Sequence, residues 1–187
     1  MFEEILRIYP DFPKKGINFI DVIPLLQDKV KFSALIEEIG KKITSPNVAT
    51  VEARGFLFAA PLLVKDNNVG NIIPFRKKGK LPFSENDLET IEITKEYGKD
   101  ELFFRKSDIA AGNSENGCFN VSVLDDVLAT GGTAKGIADK LEGLLIKKDG
   151  KAFHVKISEF VFLCEIDGLG GRALLEDIAP VKAIMHI

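Results

Sequence analysis

Between residues 31 and 43 apolar side chains return every three or four positions, at Phe32, Leu35, Ile36, Ile39 and Ile43, with Glu37, Glu38, Lys41 and Lys42 on the opposite side. That spacing predicts an amphipathic helix whose apolar stripe is core. The pattern changes after the break at Ser45-Pro46-Asn47. Val48 to Val51 is a short apolar run that predicts a strand, and Gly55 to Val64, rich in Phe, Leu and Ala, predicts the next helix. Val69 to Phe75 predicts another strand. A similar unit starts with the strand residues Val121, Val123 and Leu124 and ends at Ile146, and Phe160 to Cys164 adds a further strand. Strands alternating with helices imply parallel crossovers. The predicted fold class is therefore α/β, an open, mostly parallel twisted sheet flanked by helices.

Residues 77–101 break this rhythm. Lys77-Lys78-Gly79-Lys80-Leu81-Pro82 leads into a polar stretch, and Leu88, Ile91 and Ile93 then alternate with polar neighbours. The expectation is a long flexible loop with hairpin tendency, and an excursion of that length in a compact domain is usually functional or disordered. Residues 111–117 read as a plain surface loop.

Composition narrows the class of function. A chain of 187 residues with 45% hydrophobic positions is expected to make one domain, 1–187, with a full core. Its net charge of −3 gives no global reason for a nucleic-acid partner, so any basic site must be local. Cys118 and Cys164 lack metal-ligand spacing, the opening residues lack the features of a signal peptide, and no apolar run reaches the ~18 residues of a membrane helix. A cytoplasmic protein without membrane contact is expected. His154 and His186 are the only histidines, and neither stands beside a plausible nucleophile, which argues against Ser-His or Cys-His catalysis.

The chemistry concentrates in residues 121–135. An apolar strand runs into Asp125 and Asp126, and a Thr130-Gly131-Gly132-Thr133 turn then opens a helix. Orphan N–H groups at such a helix start can receive a phosphate, the glycines allow close backbone approach, and the threonines add hydroxyl donors. In an open parallel sheet, ligands collect beyond the carboxyl ends of the strands. The carboxylates would then face the hydroxyls of a ribose whose 5-phosphate fills the turn. Taken alone, the Gly-Gly-Thr segment also fits a simple turn followed by a Thr133 N-cap. It is not a Walker A loop, since no Lys follows the second Gly. Glu52-Ala53-Arg54-Gly55 likewise fits either a solvated helix cap or an anion-binding turn. The basic run Arg76, Lys77, Lys78 and Lys80 fits either a solvated surface or a diphosphate site.

The Asp125–Thr133 segment resembles the phosphoribosyl diphosphate signature of the type I phosphoribosyltransferases. Asp11 to Asp21, Glu52 to Phe58, Arg76 to Pro82, Glu96-Tyr97-Gly98 and Glu165 to Arg172 extend the likeness, in chain order, to the adenine phosphoribosyltransferase family over about residues 10–180. The resemblance implies an N-terminal hood over about 1–30 and a long flexible loop over about 77–101. It implies transfer of the phosphoribosyl group of 5-phospho-α-D-ribose 1-diphosphate (PRPP) to adenine, giving AMP and diphosphate. Magnesium would be held mainly by substrate and water, with no direct protein ligand. Asp125, Asp126, Glu96 and Arg54 would be catalytic. Phe19 and Val127 would sandwich the base while Asn18 and Ile20 read it through the backbone. Ala129, Thr130, Gly131, Gly132 and Thr133 would hold the 5-phosphate, and Ala53, Arg76, Lys77, Lys80 and Tyr97 would complete the substrate contacts. The family's diphosphate loop often carries a non-proline cis peptide, and Lys80 would reach the neighbouring site of a homodimer.

Two departures stand out. Many members carry Arg where this chain has Ile20, and Thr90-Ile91-Glu92-Ile93-Thr94 stands where a Ser-Tyr pair is usual. The alternatives are transfer to another purine, or a catalytically weak paralogue or sensor that binds PRPP. A transcriptional sensor would need a DNA-reading module, and about 30 residues before the first long helix leave no room for one.

Overall fold

Two short strands near the amino terminus, β1 (Arg7–Tyr9) and β2 (Phe19–Asp21), pair antiparallel as a separate ribbon with Ile8 opposite Ile20. The computed structural model describes residues 2–65, 68–84, 86–95 and 98–187. Its other strands are β3 (Asn47–Val51), β4 (Asn71–Lys77), β5 (Leu88–Lys95), β6 (Gly98–Arg105), β7 (Cys118–Leu128), β8 (Leu145–Lys148), β9 (Lys151–Glu165) and β10 (Val181–His186). They form one sheet in the order β10, β9, β7, β3, β4, β6, β5, with β8 paired to β9 off this path. The five strands from β10 to β4 run parallel, whereas β6, β5 and β8 join antiparallel. The α/β class and the mostly parallel sheet are as expected.

The helices are α1 (Lys29–Gly40), α2 (Arg54–Ala59), α3 (Leu62–Lys65), α4 (Lys106–Ala110), α5 (Gly132–Leu141) and α6 (Gly171–Glu176). Asp28 caps α1 by accepting from the amides of Val30 and Lys31, each at 3.0 Å. The single helix expected over 55–64 is instead two. Pro61 has no N–H to continue the ladder, so α2 stops at Ala59 and α3 starts at Leu62.

Side-chain alternation along β9 shows how the sheet divides the core. Phe160 and Phe162 join a cluster with Phe75, Phe104 and the α5 residues Ile137 and Leu141, while Val161 and Leu163 point to α1 and Phe58 of α2. Ile20, Val22 and Leu25 also join the α1 side, which ties the amino-terminal ribbon to the sheet.

Within the expected 77–101 excursion the structure places the β5–β6 hairpin, which extends to Arg105. Ile91 and Ile93 of β5 are buried against α5, where a Cβ on Gly136 would meet both at 3.4 Å. Glu89 pairs with Lys140 at 2.7 Å and Lys106 at 3.3 Å. Among the described residues no helix is long and apolar enough to cross a membrane.

Candidate active site

The carboxyl ends of β3, β4, β7 and β9 converge on one edge of the sheet, where the turns that follow them are free to meet a ligand. A cavity of about 460 Å³ opens there. Its lining runs from Asn18, Phe19 and Ile20 of the ribbon, past Asp125 and Val127 of β7, to the 129–133 turn. A smaller cavity of about 270 Å³ adjoins it, bordered by Glu52, Ala53, Lys77, Asp100 and Asp126. Arg54, Asp125, Val127 and Thr133 line both.

The 129–133 turn is shaped by backbone packing. Gly131 caps α5 in the left-handed region, at φ 79°. A Cβ on it would lie 3.0 Å from the Gly171 carbonyl oxygen, and a Cβ on Gly171 would lie 2.2 Å from that of Ala129. The turn therefore rests directly on the start of α6, a contact only glycines at both positions permit. The first N–H groups of α5 face the larger cavity with no partner inside the helix.

The two carboxylates differ. Strand β7 continues past them to Leu128, so consecutive side chains fall on opposite faces. Asp126 is buried, and its Oδ2 lies 2.7 Å from Arg54 Nε, in an ion pair whose angle does not make an aligned hydrogen bond. Asp125 is half-buried and accepts from the Asp126 amide at 2.9 Å. Desolvation, and after it the charge of Asp126, push the Asp125 pKa up to about 8. Beneath it, Gly55 leaves room for Thr50, since a Cβ there would sit 2.3 Å from Thr50 Oγ1 and 3.3 Å from Asp125 Oδ1. Thr50 Oγ1 is buried and has no hydrogen-bond partner among the described residues.

The peptide bond Glu52–Ala53 is cis. Glu52 fastens this turn to the end of β4, accepting from the Lys77 amide at 2.7 Å and from Arg76 Nε at 2.8 Å. Burial would raise its pKa, but these hydrogen bonds outweigh burial and hold the carboxyl below the usual glutamate value. Arg76 is thus engaged with Glu52, and Lys80 stands exposed on the turn after β4. Arg54 turns toward the ribbon as well as toward Asp126. Its Nη1 donates to the Ile20 carbonyl at 3.1 Å, and its guanidinium lies over the Phe19 ring, 5.1 Å from the centroid. Glu96 and Tyr97 lie outside the described residues.

Sequence reasoning did not assign Glu52, Thr50, or the walls formed by Phe162, Ile166 and Leu169. The resemblance over Glu165–Arg172 covers Ile166 and Leu169 but gives them no role. Glu165, Asp167 and His186 cluster near it and could in geometry hold an ion, but Glu165 is engaged by Arg172 at 3.0 Å, and His186 pairs with Asp167 at 3.1 Å. Cys164 is buried, and burial pushes its thiol up to about 12, so it is no nucleophile.

No protein-family model matches the chain. Individual proteins do. An adenine phosphoribosyltransferase of Clostridium acetobutylicum is 41% identical, over 98% of this chain and 97% of its own length. One of Sorangium cellulosum is 37% identical over 97% of this chain and 84% of its own. Among solved structures, the adenine phosphoribosyltransferase of Thermoanaerobacter pseudethanolicus superposes with a TM-score of 0.79 at 34% identity, covering 100% of this chain and 98% of its own. That of Saccharomyces cerevisiae, complexed with an imino-altritol bisphosphate and adenine, gives 0.75 at 32% identity, over 98% of this chain and 96% of its own. Near-complete coverage in both directions, at these identities, means that the chain belongs to the adenine phosphoribosyltransferase family.

Proposed function

We propose that the protein transfers the 5-phosphoribosyl group of PRPP to adenine, forming AMP and diphosphate in purine salvage. The observation that carries this reading is the larger cavity, whose lining brings together the Phe19 ring, Asp125 and the glycine turn that opens α5. The 5-phosphate rests on the first N–H groups of α5 with the hydroxyls of Thr130 and Thr133. Asp125 and Asp126 take the ribose hydroxyls. Adenine stacks between Phe19 and Val127, and the backbone of Asn18 and Ile20 reads its edge. The diphosphate enters the smaller cavity beside Ala53 and Lys77, with Arg54 on its wall and Arg76 held next to it by Glu52.

As the bond from C1 to the diphosphate lengthens, the ribose ring gains positive charge and the leaving group gains negative charge. With PRPP bound, the acidic pair would face the first and the basic groups the second, each in place before the bond breaks. Glu96 is assigned the proton on the imidazole side of the base. Magnesium fits as an ion carried in on PRPP: Asp100, Asp125 and Asp126 border the smaller cavity with hard oxygen groups, and the ion when bound neutralises charge on the departing diphosphate. The protein is proposed to work as a cytoplasmic homodimer in which Lys80 serves the neighbouring site, consistent with its exposure on the turn after β4.

The test is a spectrophotometric assay with magnesium, PRPP and each of adenine, hypoxanthine, guanine and xanthine. AMP formation with adenine in clear preference supports the reading. No product with any base overturns it, and equal use of hypoxanthine moves the assignment to another purine.

A further inference from the structure

Arg54 makes three contacts that belong to three different parts of the site. Nε pairs with Asp126 at 2.7 Å, Nη1 donates to the Ile20 carbonyl at 3.1 Å, and the guanidinium lies over Phe19. The last two are the contacts a bound base needs. A planar, electron-poor group on the Phe19 ring, with an N–H aimed at the Ile20 carbonyl, reproduces what an adenine ring and its exocyclic amino group would present there. Phe12 meets the same ring at 79° with centroids 5.3 Å apart, which steadies Phe19 against the guanidinium. Arg54 also lines both cavities, so a modest swing of a flexible side chain carries its head from the base side to the diphosphate side.

We infer that Arg54 stands in for the base when no ligand is bound, and that a diphosphate group in the smaller cavity draws it away and clears the place for adenine. The inference rests on the proposed placement of adenine on Phe19 and Ile20. The diphosphate offers a doubly bonded fork partner, stronger than one carbonyl and one ring face. Asp126 stays within reach of the same guanidinium, which keeps the swing short. Because the coupling is between two binding events, it is reciprocal: adenine must favour diphosphate binding by the same factor. A further consequence is protection of the apolar pocket, since Phe19 is not left bare to water while no substrate is present.

The test uses calorimetric titration of adenine into the full chain, with and without magnesium diphosphate, alongside AMP formation in the same preparations. In the wild-type protein diphosphate should tighten adenine binding about tenfold, the combined worth of one hydrogen bond and one cation–π contact. Arg54→Lys keeps a positive charge near Asp126 but loses the planar fork. It should bind adenine about tenfold more tightly than wild type without diphosphate, and its response to diphosphate should shrink to within about twofold. Arg54→Met should behave alike wherever it folds, which its melting curve decides. Wild-type adenine affinity that ignores diphosphate, or Arg54→Lys that binds adenine no better than wild type, overturns the inference even where AMP is formed. Absence of AMP formation by wild type overturns instead the reading on which it rests.

Discussion

Glu159, buried toward the amino edge of the sheet, and Asp125, half-buried at the carboxyl edge, are both acids whose surroundings push them in opposite directions. Burial raises the pKa of Glu159, but Ser122, Thr44 and Lys182 donate to it and together bring it below the usual glutamate value. The Thr44 amide donates at 2.9 Å and Lys182 Nζ at 3.1 Å, with both the Thr44 and Ser122 hydroxyls in contact. Asp125 has one backbone donor, a second carboxylate beside it and, just below, a buried hydroxyl with no partner. The amino edge is complete as protein. Asp125 at the carboxyl edge is short of donors, and in the proposed placement a ribose with two adjacent hydroxyls would supply the missing ones. The difference identifies where stability has given way to binding.

The comparison can be broken by mutation, starting at the site. Asp125→Asn removes the carboxylate proposed to face the developing cation and should lower kcat/KM by at least about 100-fold in the AMP assay. The same change should leave the melting temperature unchanged or raised, because it relieves an under-donated acid. A drop in both would place Asp125 with Glu159 as a structural group. Glu52→Gln comes next. It weakens the tie between the 52–54 turn and β4, and should raise KM for PRPP about tenfold with a smaller change in kcat.

At the other edge, Glu159→Gln should cost about 1–3 kcal/mol of stability while kcat stays within about twofold of wild type. Urea unfolding and the assay check the two halves. The smallest effect is on pH. The folded pKa of Asp125 lies above its ordinary value of 3.8, so the native state holds the proton more tightly than the unfolded chain between the two values. Its contribution to stability is therefore full below about 4 and is lost as pH rises toward about 8. Glu159, held below 4.5, acts with the opposite sign: its contribution is present above that value and is lost as pH falls through its lowered pKa. Ligand-free melting temperatures measured from pH 5 to pH 8 should decline by a few degrees, and the decline should flatten in Asp125→Asn but persist in Glu159→Gln.

Much of this edge was legible in sequence because its determinants are local. The Asp125–Thr133 segment carries strand end, acidic pair, left-handed Gly131 and helix start within nine consecutive positions, and each is set by near neighbours. The stripe of α1 was legible for the same reason, although the helix ends at Gly40 and Ile43 packs from beyond it. What was not legible depends on distant partners. Pairing of Glu52 with Arg76 and the Lys77 amide follows from β3 and β4 being neighbours, which no spacing in either segment shows. The fit of Gly131 on Gly171 spans forty residues of chain and exists only once α6 is placed. Strands β8 and β10 lacked a long apolar run, since β8 is an edge pair and β10 has only Val181 and Met185 buried. The resemblance makes Arg54 catalytic without naming its partners in the folded chain. Its present contacts with Asp126 and the ribbon are a choice among partners that a sequence does not rank.

The central claim is that the carboxyl edge lacks donors until a ribose supplies them: burial and the charge of Asp126 raise the Asp125 pKa, and donating hydroxyls would bring it back down. Calorimetric titration of PRPP with magnesium, in buffers of different ionisation enthalpy near pH 7, counts the protons released on binding. The account predicts that wild type releases about one proton more than Asp125→Asn. Equal proton counts for the two proteins, with binding intact in both, would contradict it.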